Sequence, residues 1–186
     1  NKMVIDYSNS KFRSDFMDIY LGAHCEFCVT TATGIDTIPL IFKKPIAAIV
    51  VPLGYIQTYN DRFINITKHH YLNGRKLNAK EIFENNLGFL LDTKFFKKKN
   101  VVLEDPSPEE ISEFALEAFD RFVEKKYEIQ GELQIKFRSK FKEYLDQAKL
   151  EDQYYISNLR LGMILQPSEI KGFFGSSFTI KNSFFN

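Results

Sequence analysis

Residues 26–51, EFCVTTATGIDTIPLIFKKPIAAIVV, carry the pattern that decides the fold. Ile46–Val51 (IAAIVV) is apolar at every position, as a strand covered on both faces should be. Upstream, Glu26–Thr30 reads as a second buried strand, Thr31–Gly34 as a loop of small residues and Ile35–Phe42 as a short helix. Thr33 and Asp36 have the spacing of a capping box. Pro39 moves the helix start towards Thr37, because a proline deeper in a helix loses a backbone bond.

Towards the N-terminus, Met3–Tyr7 (MVIDY) is β-branched and ends in Ser8-Asn9-Ser10, so it predicts a strand and a loop. From Lys11 the period changes. Phe12, Phe16, Ile19 and Tyr20 predict an amphipathic helix to about Leu21, with Gly22 as its stop. Strand-helix-strand-helix-strand within about fifty residues implies an α/β fold, with right-handed crossovers and a mostly parallel sheet flanked by helices.

Downstream, residues 52–78 are polar and aperiodic, and predict a long loop with at most one short strand, of the kind often used for function. Asn78 and Glu81 open a helix expected to reach about Leu91, and Val101–Leu103 is a short strand. Ser107-Pro108-Glu109-Glu110 combines an N-cap, a proline at the first position and acids in the first turn. Ile111, Phe114, Ala115, Ala118, Phe119 and Phe122 give that helix its stripe. A further helix, Gly131–Ala148, presents Leu133, Phe137, Phe141 and Leu145 on one face. The chain is accordingly read as an α/β domain over 1–130 and a helical extension over 131–186. That extension packs on the domain or on a partner domain, and its aromatic tail (Phe173, Phe174, Phe178, Phe184, Phe185) is too apolar to be left in water.

With 186 residues, 44% hydrophobic and 26% charged, the composition is that of a globular chain. A net charge of +1 argues against a duplex nucleic-acid partner, and no apolar run approaches the roughly 18 residues of a membrane span. Cys25 and Cys28 have C-x-x-C spacing, but a strand would turn them to opposite faces and further ligands are scarce. They are read as buried and reduced, consistent with a cytoplasmic setting, with no metal expected.

In an open parallel sheet, ligands collect where strands lead into helices. Thr30–Asp36 (TTATGID) supplies small hydroxyl residues, Gly34 and a helix start, the ingredients of a phosphate site. Thr31, Thr33 and the amides of Gly34 and Ile35 are its candidates. Ser8–Ser14 (SNSKFRS) adds Lys11 and Arg13, able to neutralise a diphosphate. Ordinary capping and a solvated helix face account for the same residues without a ligand. No complete Walker loop or G-x-G-x-x-G occurs. His24 is read as structural, His69 and His70 as a surface pair in the long loop, and Asp36 as a cap; no catalytic set emerges.

The stretch DYSNSKFRSDFMDIYLGAHCEFCVTTATGIDTIPLIFKKPI resembles the glycosyltransferases of bacterial surface-polysaccharide gene clusters. Ser10, Phe12, Arg13, Ser14, Asp15, Phe16, Met17 and Asp18 carry the first block of the resemblance. Thr33, Gly34, Ile38, Pro39, Phe42, Lys44 and Pro45 carry the second, and SPEEI at 107–111 with Leu133, Gln134 and Phe137 extends it. The resemblance implies the C-terminal, Rossmann-like half of a GT-B fold, with additional C-terminal helices and strand-helix units expected before Met3. It also implies a nucleotide-sugar donor bound without a metal or other cofactor by Thr31, Thr33, Gly34 and Ile35, with Ser10, Lys11, Arg13 and Ser14 nearby. The implied partners are a glycan acceptor and an N-terminal domain, with room for peripheral membrane association of a full-length enzyme. No catalytic residue is implied, and the chain alone is expected to have little activity. A non-catalytic α/β interaction module and a different phosphoryl-ligand enzyme remain as alternatives.

Overall fold

The computed structural model describes residues 4–126, 131–160 and 169–185. Its centre is a parallel sheet in the order β1-β2-β3-β7, built from Cys28–Thr30 (β1), Ile46–Ile49 (β2), Phe63–Ile66 (β3) and Phe173–Phe174 (β7). Every residue of β2 and β3 is buried. The fold is therefore α/β with a parallel sheet flanked by helices, and the IAAI of IAAIVV lies in it as a buried strand that ends two residues before Val51.

Helix α1 (Asp15–His24) starts at Ser14, whose Oγ accepts the Met17 N–H at 3.2 Å. It starts later than the periodicity from Lys11 predicts, and it runs through Gly22 instead of stopping there. The reason is packing: a Cβ on Gly22 would sit 2.6 Å from Ile38 Cγ2, so the glycine lets α1 approach α2 (Thr37–Ile41). α2 begins at Thr37, which leaves Pro39 in the first turn, where its missing N–H costs nothing. Neither Thr33 nor Asp36 makes a side-chain cap bond, so the expected capping box does not form.

The region 52–78 is not a long loop. It holds β3, a short 3-10 turn at Leu53–Tyr55, and a hairpin of His69–Leu72 (β4) and Arg75–Lys76 (β5). Asn73 and Gly74 both have positive φ (51° and 80°), the geometry a tight hairpin turn demands. Val101–Glu104 (β6) is a strand as expected, but it pairs antiparallel with β4 in a separate sheet ordered β5-β4-β6. Val4–Tyr7 is not a strand, because no neighbour offers it a ladder.

Asn78 and Glu81 form a complete capping box at α3 (Ala79–Glu84), which ends well short of Leu91 as Asn86 turns to φ 55°. α4 (Thr93–Lys98) leads into β6, and Ser107 and Glu110 form the second capping box, at α5 (Pro108–Phe122). α6 (Glu132–Glu151) and α7 (Gln153–Arg160) follow, separated by Asp152, and α8 (Ser176–Asn182) closes the described chain.

The aromatic tail does not wait for a partner. Phe173 and Phe174 are the fourth strand of the sheet, and Phe178, Phe184 and Phe185 are buried within the chain. The Phe174 ring contacts those of Phe137, Phe178, Phe184 and Phe185 at centroid separations of 5.0 to 5.9 Å. A buried phenylalanine contributes about 2–3 kcal/mol, so this cluster anchors the 131–185 region to the sheet. Asn65, wholly buried in β3, donates to Gln57 O at 2.9 Å and Phe173 O at 3.1 Å and accepts Gln57 N–H at 3.1 Å. One polar side chain thus ties three segments together.

Candidate functional site

All four strands of the main sheet run parallel, so the segments that follow them gather at one end. After β1 come residues 31–36, and after β2 the turn 50–56 with a cis Val51–Pro52 bond. After β3 come Thr67, whose Oγ1 donates to Val50 O at 2.7 Å, and Lys68, which pairs with Asp105 at 2.6 Å. Tyr7 and Asp18, which lie on either side of the 8–14 loop in sequence, line a cleft of about 350 Å³ together with Val29 and with Ile35 of the 31–36 loop.

The cleft itself is largely apolar, with Leu21, Gly22, Phe27 and Pro39 also in its walls. Of the eight expected site residues only Ile35 lines it. Thr31, Thr33, Gly34, Lys11, Arg13 and Ser14 are exposed outside its lining, and Ser10 is half-buried. The serines are occupied locally: Ser10 Oγ accepts Phe12 N–H at 3.3 Å, and Ser14 Oγ caps α1. Lys11 Nζ lies 5.4 Å from the centre of its neighbour Phe12. By contrast, Thr33 makes no cap bond, nothing would meet a Cβ on Gly34 within 4 Å, and the Gly34 and Ile35 amides begin a helical turn without an intrahelical acceptor. The 31–36 loop is the part with unspent hydrogen-bonding capacity. Burial raises the Asp36 carboxyl above its usual range.

Cys25 and Cys28 both line the cleft, contrary to the expectation of opposite faces, because Cys25 ends α1 and lies outside the strand. Both are free, half-buried thiols, with burial pushing each upwards in pKa. Among the described residues no group of three or more His, Cys, Asp or Glu side chains is arranged to hold a metal ion. No described helix is long and apolar enough to cross a membrane.

Two of the three histidines differ from their sequence reading. His24 ends α1, stacked on Tyr20 at 4.2 Å, which is a structural role. His69 and His70 are not a surface pair; both are buried in β4. His69 Nε2 meets Glu110 Oε2 at 2.8 Å, and its ring stacks on Phe178 at 5.2 Å. Burial would raise Glu110, but hydrogen bonds from Asn182, the Ser107 amide and His69 outweigh it and hold the carboxyl at about 2. His70 meets Lys68 O through Nδ1 at 2.9 Å, and burial lowers its pKa to about 4. The Asn73-Gly74 dipeptide was the signal that β4 and β5 form a hairpin and carry these histidines inside.

The 50–56 turn is the contribution to this end of the sheet that the sequence reading lacks. A Cβ on Gly54 would meet the Phe89 ring at 2.3 Å, so the turn is pressed onto the core. No protein-family model, curated protein or solved structure matches the chain.

Proposed function

We propose that this chain is the nucleotide-sugar-binding part of a glycosyltransferase of surface-polysaccharide synthesis, a cytoplasmic enzyme that holds its donor without a metal. One observation carries the reading: Ile35 of the exposed 31–36 loop lines an open cleft beside a parallel sheet, together with Tyr7 and Asp18, which lie on either side of the 8–14 loop in sequence. The resemblance of residues 6–46 to such enzymes supports it independently.

In this reading the Gly34 and Ile35 amides and the Thr31 and Thr33 hydroxyls hold the diphosphate, and Lys11 and Arg13 offset its charge across the opening. As an acceptor oxygen displaces the diphosphate from the sugar carbon, charge grows on the departing phosphate oxygen. Fixed N–H groups and cations stabilise it there. The acceptor and the base that deprotonates it belong to the rest of the enzyme.

Calorimetric titration with UDP, GDP, CDP and ADP tests this. One nucleotide should bind, and a Thr33→Val, Arg13→Ala double variant should lose it. Silence from all four, or binding that the variant keeps, overturns the reading. The exposed apolar side of α1 favours a second reading, a non-catalytic α/β interaction module, which requires no nucleotide at all.

A further inference from the structure

We infer that the pocket where α3, α6 and α7 meet binds a short linear polyamine, with one ammonium group on Asp152 and the methylene chain against Phe83 and Tyr144. The inference does not depend on donor binding, because this pocket shares no residue with the cleft beside β1.

Asp152 separates α6 from α7 and is buried, at 2% exposure. Its Oδ1 accepts the Tyr154 and Tyr155 N–H groups at 2.7 and 3.2 Å, which caps α7 and uses the donors of that helix start. Its Oδ2 is buried with no hydrogen-bond partner among the described residues. Burial raises the carboxyl above its usual range, while the two amides and the charge of Lys99 act against it. A buried carboxylate oxygen left unpaired is costly, so this one is poised for a donor that arrives from outside the chain.

The pocket in whose wall Asp152 stands has a volume of about 350 Å³, within the range of small-molecule sites. Its surroundings favour a cation. Glu84 and Glu151 also line it and are the last residues of α3 and α6, so the negative ends of both helices add to their charge. The lysines beside it are committed: Lys80 pairs with Glu84 at 3.5 Å, and Lys99 Nζ donates to Asn85 O at 2.9 Å.

Chemistry narrows the cation. Among the described residues no three carboxylates, cysteines or histidines are arranged to hold a metal ion, so a bare divalent ion lacks its ligand set here. An ammonium group asks for separate acceptors around its three N–H donors. Phe83 and Tyr144, with ring centres 5.3 Å apart, give the pocket an aromatic side on which methylene groups and an ammonium both rest favourably. The acids come from different elements, Glu84 from α3 and Asp152 from the α6–α7 joint, which suits charges spaced along a chain better than a single one.

The test is calorimetric titration of the whole chain at neutral pH and low salt with 1,4-diaminobutane and with spermidine. 1,4-Butanediol is the uncharged analogue and magnesium chloride the metal arm. Both amines should bind, the diol should not, and the amide resonances of Asn86 and Gln147 should shift on saturation. Asp152→Asn retains a side-chain oxygen to cap α7 and should weaken binding about tenfold or more. Glu84→Gln, at an exposed position, should weaken it about threefold, which keeps the test decisive if Asp152→Asn fails to fold. Glu132→Gln, at the far end of α6, should leave it unchanged. The inference is overturned if neither amine binds, if the diol binds equally, or if magnesium shifts the same amides and binds more tightly than spermidine. Native affinity in a folded Asp152→Asn protein, or a loss at Glu132→Gln as large as that at Glu84→Gln, also overturns it.

Discussion

Gln134 on α6 completes the sheet as a strand would: its Nε2 donates to Phe174 O at 2.8 Å and its Oε1 accepts Phe174 N–H at 3.1 Å. Replacing it with leucine leaves a buried N–H and C=O unpaired. Gln134→Leu should lower unfolding free energy by about 2–4 kcal/mol, measured by urea denaturation. A loss under about 0.5 kcal/mol would mean that the bonds are not made in solution.

His70 gives the chain a pH dependence. Its pKa is about 4 in the folded protein against 6.5 when unfolded. The unfolded chain therefore takes up the proton first as pH falls, and stability that is full above 6.5 is lost progressively towards 4. The shift corresponds to about 3 kcal/mol. Glu110, held at about 2 against 4.5, adds a further loss below pH 4.5. The urea midpoint should fall between pH 7 and 4.5 in the native protein, and His70→Phe should flatten that slope while leaving the loss below 4.5.

Glu117 is buried in α5, and its carboxylate accepts the Ser176 N–H at 2.8 and 3.0 Å, at the positive end of α8. Arg121 lies 3.8 Å away, with its guanidinium 4.0 Å from the centre of the Phe173 ring. Glu117→Leu should cost about 2–4 kcal/mol and speed amide hydrogen exchange across 176–182 before it does so in α3.

α1 rests on the rest of the chain chiefly where Gly22 meets Ile38. Gly22→Val should release it, making the 15–24 segment the first site of limited proteolysis. Because no residue of α1 is buried, the global urea midpoint should move little. A large drop in that midpoint would show that α1 belongs to the main cooperative unit.

The parts legible in sequence are those with local causes. The first four residues of the all-apolar IAAIVV form β2, and the capping residues at Asn78 and Ser107 mark their helix starts. β3 was hidden because Asn65 interrupts FINI, and its side chain is satisfied only by Gln57 and Phe173, partners set by tertiary contact. β7 is two residues long, too short for any periodicity, and exists because β3 and α6 flank it. Of the two loops named from sequence, only Ile35 lines the cleft, and that this cleft is apolar and holds both cysteines was not legible because it depends on where α1 packs.

Asn65 and Phe173 are neighbours in the sheet although 108 positions apart in sequence. During synthesis on the ribosome, β1, β2 and β3 emerge long before the strand that completes their ladder. Until residues 173–185 leave the exit tunnel, the outer edge of β3 and the faces later covered by the phenylalanine cluster stay open to water and to neighbouring nascent chains. The sheet therefore stays one strand short while more than a hundred residues are added after β3, an interval in which an open strand edge favours mispairing.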